Sequence, residues 1–138
     1  MLLSQLYAQL AFTTRRAYHA GSETWEYAFA FSPDHFEDEE PPSYILYVEI
    51  WKNGRPLGIL DLIGRWNFVA VDSGRTELRL TETHVGGLAP GNLSRAGLNG
   101  LAWAMMREAD VDSLHIQGGT RTTGRGKGKT PRAIRFPR

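Results

Sequence analysis

The chain has 138 residues, of which 41% are hydrophobic and 11% aromatic, enough for one domain with a buried core. It contains no cysteine, which excludes disulfides, thiolate metal sites and a cysteine nucleophile. No apolar run approaches the roughly 20 residues that a membrane-spanning helix needs. We therefore expect no membrane segment and a cytoplasmic location.

The formal net charge of +1 hides a strong asymmetry along the chain. Residues 1–118 carry nine Lys/Arg against fifteen Asp/Glu, whereas residues 119–138 carry seven Lys/Arg and no acid. This division predicts a single domain over 1–118 followed by a basic, glycine-rich C-terminal arm over 119–138. Such an arm favours a polyanionic partner.

The first third of the chain predicts a helix, a strand and an acidic loop. Four leucines at helical spacing predict a short amphipathic first helix: Leu2, Leu3, Leu6 and Leu10. Aromatic residues then alternate with smaller or polar ones and predict a strand with one aromatic face: Trp25, Tyr27, Phe29 and Phe31. The segment 36–42 reads as an acidic loop.

Two hairpins are predicted next. Residues 44–51 are almost continuously apolar and precede Asn53-Gly54, the strongest short hairpin signal. A two-residue turn there places Val48 opposite Ile59. Because both faces of this hairpin are mostly apolar, we expect it in the middle of the sheet.

The second hairpin is predicted over 65–82, around Ser73-Gly74. Centring the turn on this pair puts Trp66, Phe68 and Arg79 on one face. These rings could stack nucleic-acid bases beside the arginine. The alternative, which we favour, is that the rings pack in the core.

A helix is predicted from a cap at Asn92 or Ser94 to about Asp110. Gly97 and Gly100 lie one turn apart in it and indicate close packing against a sheet. Strand signals follow over 113–117 and 133–136. The predicted fold is α+β, a largely antiparallel five- to six-stranded sheet with one long helix packed on a face.

The basic arm combines residue types suited to phosphate contacts. Its glycines allow close backbone approach, its threonines donate hydrogen bonds, and its Lys/Arg side chains neutralise charge. A solvated tail, or an arm folded back on the acidic loop, remains an alternative. The predicted nucleic-acid-binding residues are Arg121, Arg125, Lys127, Lys129, Arg132, Arg135 and Arg138 of the arm, with Arg79, Trp66 and Phe68 of the domain.

Catalytic signals are weaker. None of the four histidines lies in a pair with metal-ligand spacing, so we predict no metal and no cofactor. Gly128-Lys129-Thr130 lacks the leading glycine and the following helix of a phosphate-binding loop. A metal-independent ribonuclease needs only a base, an acid and a cation, and His84 and His115 are the candidates for such chemistry.

We therefore expect a non-catalytic binding protein whose arm contacts the backbone of RNA or DNA, with RNA or a single strand favoured. One alternative is a protein-directed inhibitor, immunity or accessory factor whose arm docks into the acidic groove of a nucleic-acid enzyme. The other is a small metal-independent ribonuclease or toxin.

Overall fold

A computed structural model describes residues 11–32, 43–88, 92–118 and 133–137. Within these residues one seven-stranded sheet forms a half-barrel, and one α-helix packs on its concave face. The strands are β1 Arg16–Ala20, β2 Glu23–Phe31, β3 Ser43–Lys52, β4 Arg55–Ala70, β5 Thr76–Gly87, β6 Ser113–Gly118 and β7 Ile134–Phe136, and the helix is α1 Arg95–Ala109. They follow chain order across the sheet, and every neighbouring pair is antiparallel except the parallel pair β5–β6, which α1 connects.

The predicted fold class was wrong. Strands make up 61% and helices 19% of the described residues, and the sheet has seven strands rather than five or six. The helix is short, with 15 residues, rather than the long helix of the prediction; Ser94, one of the two predicted caps, begins it and Asp110, with φ of 54°, ends it. Strand β1 was not predicted. This short edge strand has only one large apolar residue, Tyr18, and therefore no clear alternation of apolar and polar residues.

Helix α1 lies very close to the sheet. A Cβ atom at Gly97 would be 2.8 Å from the Trp25 ring, and one at Gly100 would be 2.6 Å from Cδ1 of Tyr18. The Tyr27 hydroxyl donates a hydrogen bond of 2.6 Å to the carbonyl oxygen of Gly97. Burial raises the pKa of Tyr27, so this hydroxyl stays protonated as a donor. The close packing predicted from the two glycines is confirmed.

The β3–β4 register differs by one residue from the prediction. Val48 pairs with Leu60 rather than Ile59, because the pairing shifts after Trp51–Pro56 and leaves Leu57 as an extra residue. Gly58, which follows, has a φ of 142°, a conformation that glycine adopts far more readily than other residues. A β-bulge of this kind has no distinct sequence signal apart from the glycine itself.

The β4–β5 register is also shifted by one residue, which likewise changes the residues that share a face. The connection runs over 71–75 with a 3-10 turn at Asp72–Gly74, instead of a two-residue turn. Phe68 therefore pairs with Leu78 and Trp66 with Leu80. Arg79 belongs to the opposite, convex face, so the predicted grouping of Arg79 with the two rings was wrong.

The chain returns to the sheet near its end. Strand β7 pairs antiparallel with β6, with Ile134 opposite Ile116. Residues 119–133 therefore connect two adjacent strands of the sheet. The first predicted helix, the acidic loop and part of the predicted binding set lie outside the described residues, namely Arg121, Arg125, Lys127, Lys129, Arg132 and Arg138.

Membrane insertion through a helix finds no support in the part of the chain that the structure describes. No helix there is long and apolar enough to cross a bilayer.

Candidate functional site

Three basic side chains form a row across the convex face of β5, β6 and β7. His115 on β6 pairs with Arg79 on β5 and with Arg135 on β7. Directly paired residues project to the same side of a sheet at neighbouring positions. Two of the predicted binding residues, Arg79 and Arg135, are thus brought together around one of the two predicted catalytic candidates.

Glu77 lies beside this row, two residues before Arg79 on the same face of β5. It was not identified from the sequence as a candidate site residue. Its side chain is nearly fully buried, with Arg79 Nε 2.7 Å from Oε2 and the Ser113 hydroxyl 3.2 Å from Oε1. The hydrogen bond from Arg79 lowers the pKa of Glu77, and the charges of Arg79 and Arg135 act in the same direction. Glu77 therefore remains ionised and fixes the position of Arg79. The sequence signal that could have identified it is an acidic residue two positions before an arginine on a predicted strand, since such residues lie on the same face.

A second convex feature lies at a bulge between β4 and β5. Glu82 and Thr83 together oppose Gly64, and Glu82 has a φ of 52°, which is uncommon for a residue other than glycine. A cavity of about 230 Å³ at this point is bordered by Arg65, Glu82 and His84. Arg65 Nε lies 2.8 Å from a carboxylate oxygen of Glu82.

The bulge cavity lies near the end of β6, where residues 119–132, which we call the basic segment, begin. Thr83 pairs with Gly118, the last residue of β6, after which the chain enters 119–132. We call Arg65, Arg79, His84 and Arg135 the convex charge patch. β-Bulges are often found next to functional sites, where they redirect side chains.

The two candidate histidines do not form one site. His115 is level with Arg79, and His84 lies five residues further along β5, roughly 15 Å away along a strand. Both ring nitrogens of His115 are inaccessible to water and have no hydrogen-bond partner in the described ranges. His84 is exposed, so it is the better placed of the two for contact with a ligand.

Metal binding gains no support from the described residues, among which no group of three His, Asp or Glu side chains could hold an ion.

Trp66 and Phe68 lie on the concave face, away from the convex charge patch. Trp66 is buried, in agreement with the favoured core role, whereas 57% of the Phe68 surface is exposed. Both border a groove of about 580 Å³ between the sheet and the C-terminal half of α1. We call it the aromatic groove after its five rings, Phe29, Phe31, Tyr44, Trp66 and Phe68.

Comparison of the chain with protein-family models, with curated proteins and with solved structures finds no match. The function is therefore inferred from the charges, cavities and contacts of the molecule itself.

The buried Glu77 provides a prediction on stability. Because the pKa of Glu77 is lowered by folding, its contribution is present above the ordinary value of 4.5 and is lost as the pH falls through the folded pKa. Glu77→Gln should reduce the free energy of unfolding by about 1–3 kcal/mol at pH 7. Urea unfolding should show this difference shrinking as the pH is lowered below 4.5.

Glu23→Gln is the matched control for this experiment, since Glu23 pairs with Lys52 at 2.8 Å on the surface. Exposed ion pairs contribute little, so we expect a much smaller change than for Glu77→Gln. Equal losses for the two variants at pH 7 would show that burial of Glu77 adds nothing.

Proposed function

We propose that the protein binds single-stranded nucleic acid, RNA in particular, through the convex charge patch and the basic segment 119–132. One observation carries the proposal: Arg79 and Arg135 flank β6 in register, and the basic segment leaves from β6 and returns through β7. Arg135 thus lies three residues after the segment, and Arg79 lies on the strand that pairs with β6, where the segment begins. Phosphate contacts of this type supply affinity without reading sequence.

The charge balance supports the same proposal. Arg79 and Arg65 each contact a glutamate, so the described patch has little excess charge by itself. Residues 119–132 add five Lys/Arg and no acid. A segment joined at both ends to the sheet has less conformational freedom to lose on binding than a free tail.

We also propose a cytoplasmic location, in keeping with a sequence that contains no cysteine.

Arg135→Gln tests the contribution of the sheet surface. Arg135 is exposed, so its loss should leave the fold intact while removing one phosphate contact. For single strands, one contact corresponds to a change of about 0.7 in the slope of log affinity against log salt concentration. Fluorescence anisotropy with a labelled single-stranded RNA at several salt concentrations measures this slope.

Arg75→Gln is the matched control, because Arg75 is also exposed but ends the β4–β5 connection rather than joining the row. It should leave the slope unchanged. Equal effects of Arg135→Gln and Arg75→Gln would show that binding responds to net charge alone and would contradict a site on the convex face.

A second function, metal-independent RNA cleavage, is favoured by one observation, the shared cavity of Arg65, Glu82 and His84. In this scheme Glu82 removes the proton of the 2′-hydroxyl, and the 2′-oxygen attacks the phosphorus. His84 protonates the leaving 5′-oxygen, so a cyclic phosphate and a 5′-hydroxyl form. Arg65 would stabilise the charge of the pentacoordinate phosphate.

Incubation of single-stranded RNA with the protein in chelator, followed by gel analysis, tests this second function. If cleavage occurs, His84→Ala should reduce the rate by about 100-fold or more, as expected for loss of a general acid. His115→Ala is the control and should retain activity, because its ring nitrogens are covered. Binding without any cut product would leave the non-catalytic proposal standing and reject cleavage.

The same binding assays distinguish nucleic-acid binding from the alternative function, that of an inhibitor, immunity or accessory factor directed at a protein. If RNA and DNA both fail to bind at low salt, an acidic protein surface becomes the partner to seek, and the nucleic-acid proposal is rejected.

A further inference from the structure

The concave face carries a second site that is independent of the convex charge patch. We propose that the aromatic groove binds an uncharged, largely apolar small molecule with a flat ring system. The groove and the convex charge patch lie on opposite faces of the sheet. Tyr44 borders both the groove and the bulge cavity, but Phe31 and Phe68 border only the groove, so variants of these two rings test it separately.

Size and lining both match those of small-molecule sites. The groove volume of about 580 Å³ is within the range that accommodates drug-sized ligands. Five of the eleven lining side chains are aromatic, and the polar groups are the hydroxyls of Ser32 and Tyr44, the carboxylate of Glu108 and the indole N–H of Trp66. Sites of this kind combine an apolar wall with a few polar groups.

The rings are arranged so as to receive another ring. Phe31, Tyr44 and Trp66 form a cluster of mutually edge-to-face contacts, with centroid separations of 5.2–6.2 Å. Edge-to-face and offset stacking are the geometries that aromatic rings prefer. A flat ring system can extend this cluster, whereas a flexible acyl chain makes no such oriented contacts.

The charge of the lining selects against anions. No Lys, Arg or His lines the groove among the described residues. Its single ionic side chain, Glu108, is 2.6 Å from Arg16 Nε and is thereby neutralised. A carboxylate, sulfonate or phosphate would lose its hydration in the groove without gaining a cationic partner. The preferred ligand is therefore uncharged.

The two exposed phenylalanines of the described residues both border the groove. Phe31 and Phe68 keep 53% and 57% of their surface exposed. On the convex face, the exposed Ile63 is aliphatic, with 39% of its surface exposed, whereas Tyr47 is only 7% exposed. Exposed aromatic residues concentrated in one concavity are typical of a binding site.

Two dyes with the same ring system test the proposal. Phenylnaphthylamine is neutral and fluoresces in apolar sites, while anilinonaphthalene sulfonate carries a negative charge. We expect the full chain to bind phenylnaphthylamine with micromolar affinity and to bind the sulfonate at least about tenfold more weakly, because its charge finds no partner. Equal affinity for the two dyes, or no binding of the neutral one, would overturn the proposal.

Substitutions in the groove test whether phenylnaphthylamine binds there. Phe31→Ala and Phe68→Ala remove exposed rings and should each weaken phenylnaphthylamine binding about fivefold or more. Ile63→Ala is the control, since Ile63 is 39% exposed on the convex face and should leave the affinity unchanged. If both phenylalanine variants bind the dye like the parent chain, or if they only change the oligomeric state seen by sedimentation, the groove is not a small-molecule site.

Discussion

Gly100→Ala should destabilise the protein by about 1–3 kcal/mol, although alanine forms helices better than glycine by roughly 1 kcal/mol. The new Cβ would overlap the Tyr27 hydroxyl and lie 2.6 Å from Cδ1 of Tyr18. Helix α1 would have to move away from β1 and β2, and the hydrogen bond from Tyr27 to Gly97 would lengthen. Urea unfolding followed by tryptophan fluorescence measures the change.

Asn99→Ala provides a matched control one position earlier on the same helix. Asn99 Oδ1 is buried without a hydrogen-bond partner in the described part of the chain. Its removal should be neutral or stabilising, since alanine raises helix propensity and eliminates an unpaired acceptor. A gain in stability for Gly100→Ala comparable to that for Asn99→Ala would refute the close packing of α1 on the sheet.

The second large effect concerns the basic segment. Replacing all five of its cations by glutamine should weaken binding to single-stranded RNA by about 100-fold or more at low salt. These cations are Arg121, Arg125, Lys127, Lys129 and Arg132. Three or four phosphate contacts correspond to a slope of about −2 to −3 in a plot of log affinity against log salt concentration, and the slope of the variant should shrink to about −0.7, the single contact that Arg135 keeps.

The control for this variant retains the charge. Substituting lysine for Arg121, Arg125 and Arg132 keeps five cations but loses the bidentate geometry of the guanidinium group. Its salt slope should equal that of the parent chain, because the slope depends on how many phosphates are neutralised. A lysine variant that loses binding as completely as the glutamine variant would point to specific arginine recognition instead.

Local patterns predicted the elements that depend on nearby residues. Alternating aromatic residues identified β2, Asn53-Gly54 identified the β3–β4 turn, and Ser94 was one of two proposed caps of α1. The paired glycines, Gly97 and Gly100, indicated close helix packing, which the Trp25 and Tyr27 rings explain. Each signal arises within one turn of chain or one strand.

The strand register could not be predicted, because it depends on single extra residues that have no distinct sequence signal. The extra residue at Leu57 and the odd-length connection over 71–75 each shift the pairing by one position. Since side chains alternate between faces, one such shift placed Arg79 with the wrong partners in the prediction.

Several residues of the candidate site were predicted from the sequence, but which of them lie next to one another was not. Arg79, Arg135 and His115 come together only through the pairing of β5, β6 and β7, which lie far apart in sequence. The aromatic groove likewise requires the half-barrel curvature and the termination of α1 at Ala109. Neither feature has a local sequence signal.

Binding of the full chain to labelled single-stranded RNA across a series of salt concentrations tests the central claim most directly. Binding of micromolar affinity or tighter at low salt, with a slope of about −2 to −3 in the logarithmic plot, is the expected result. Absence of binding at low salt, or affinity that does not vary with salt, would contradict recognition of a polyanion by the convex face and the basic segment.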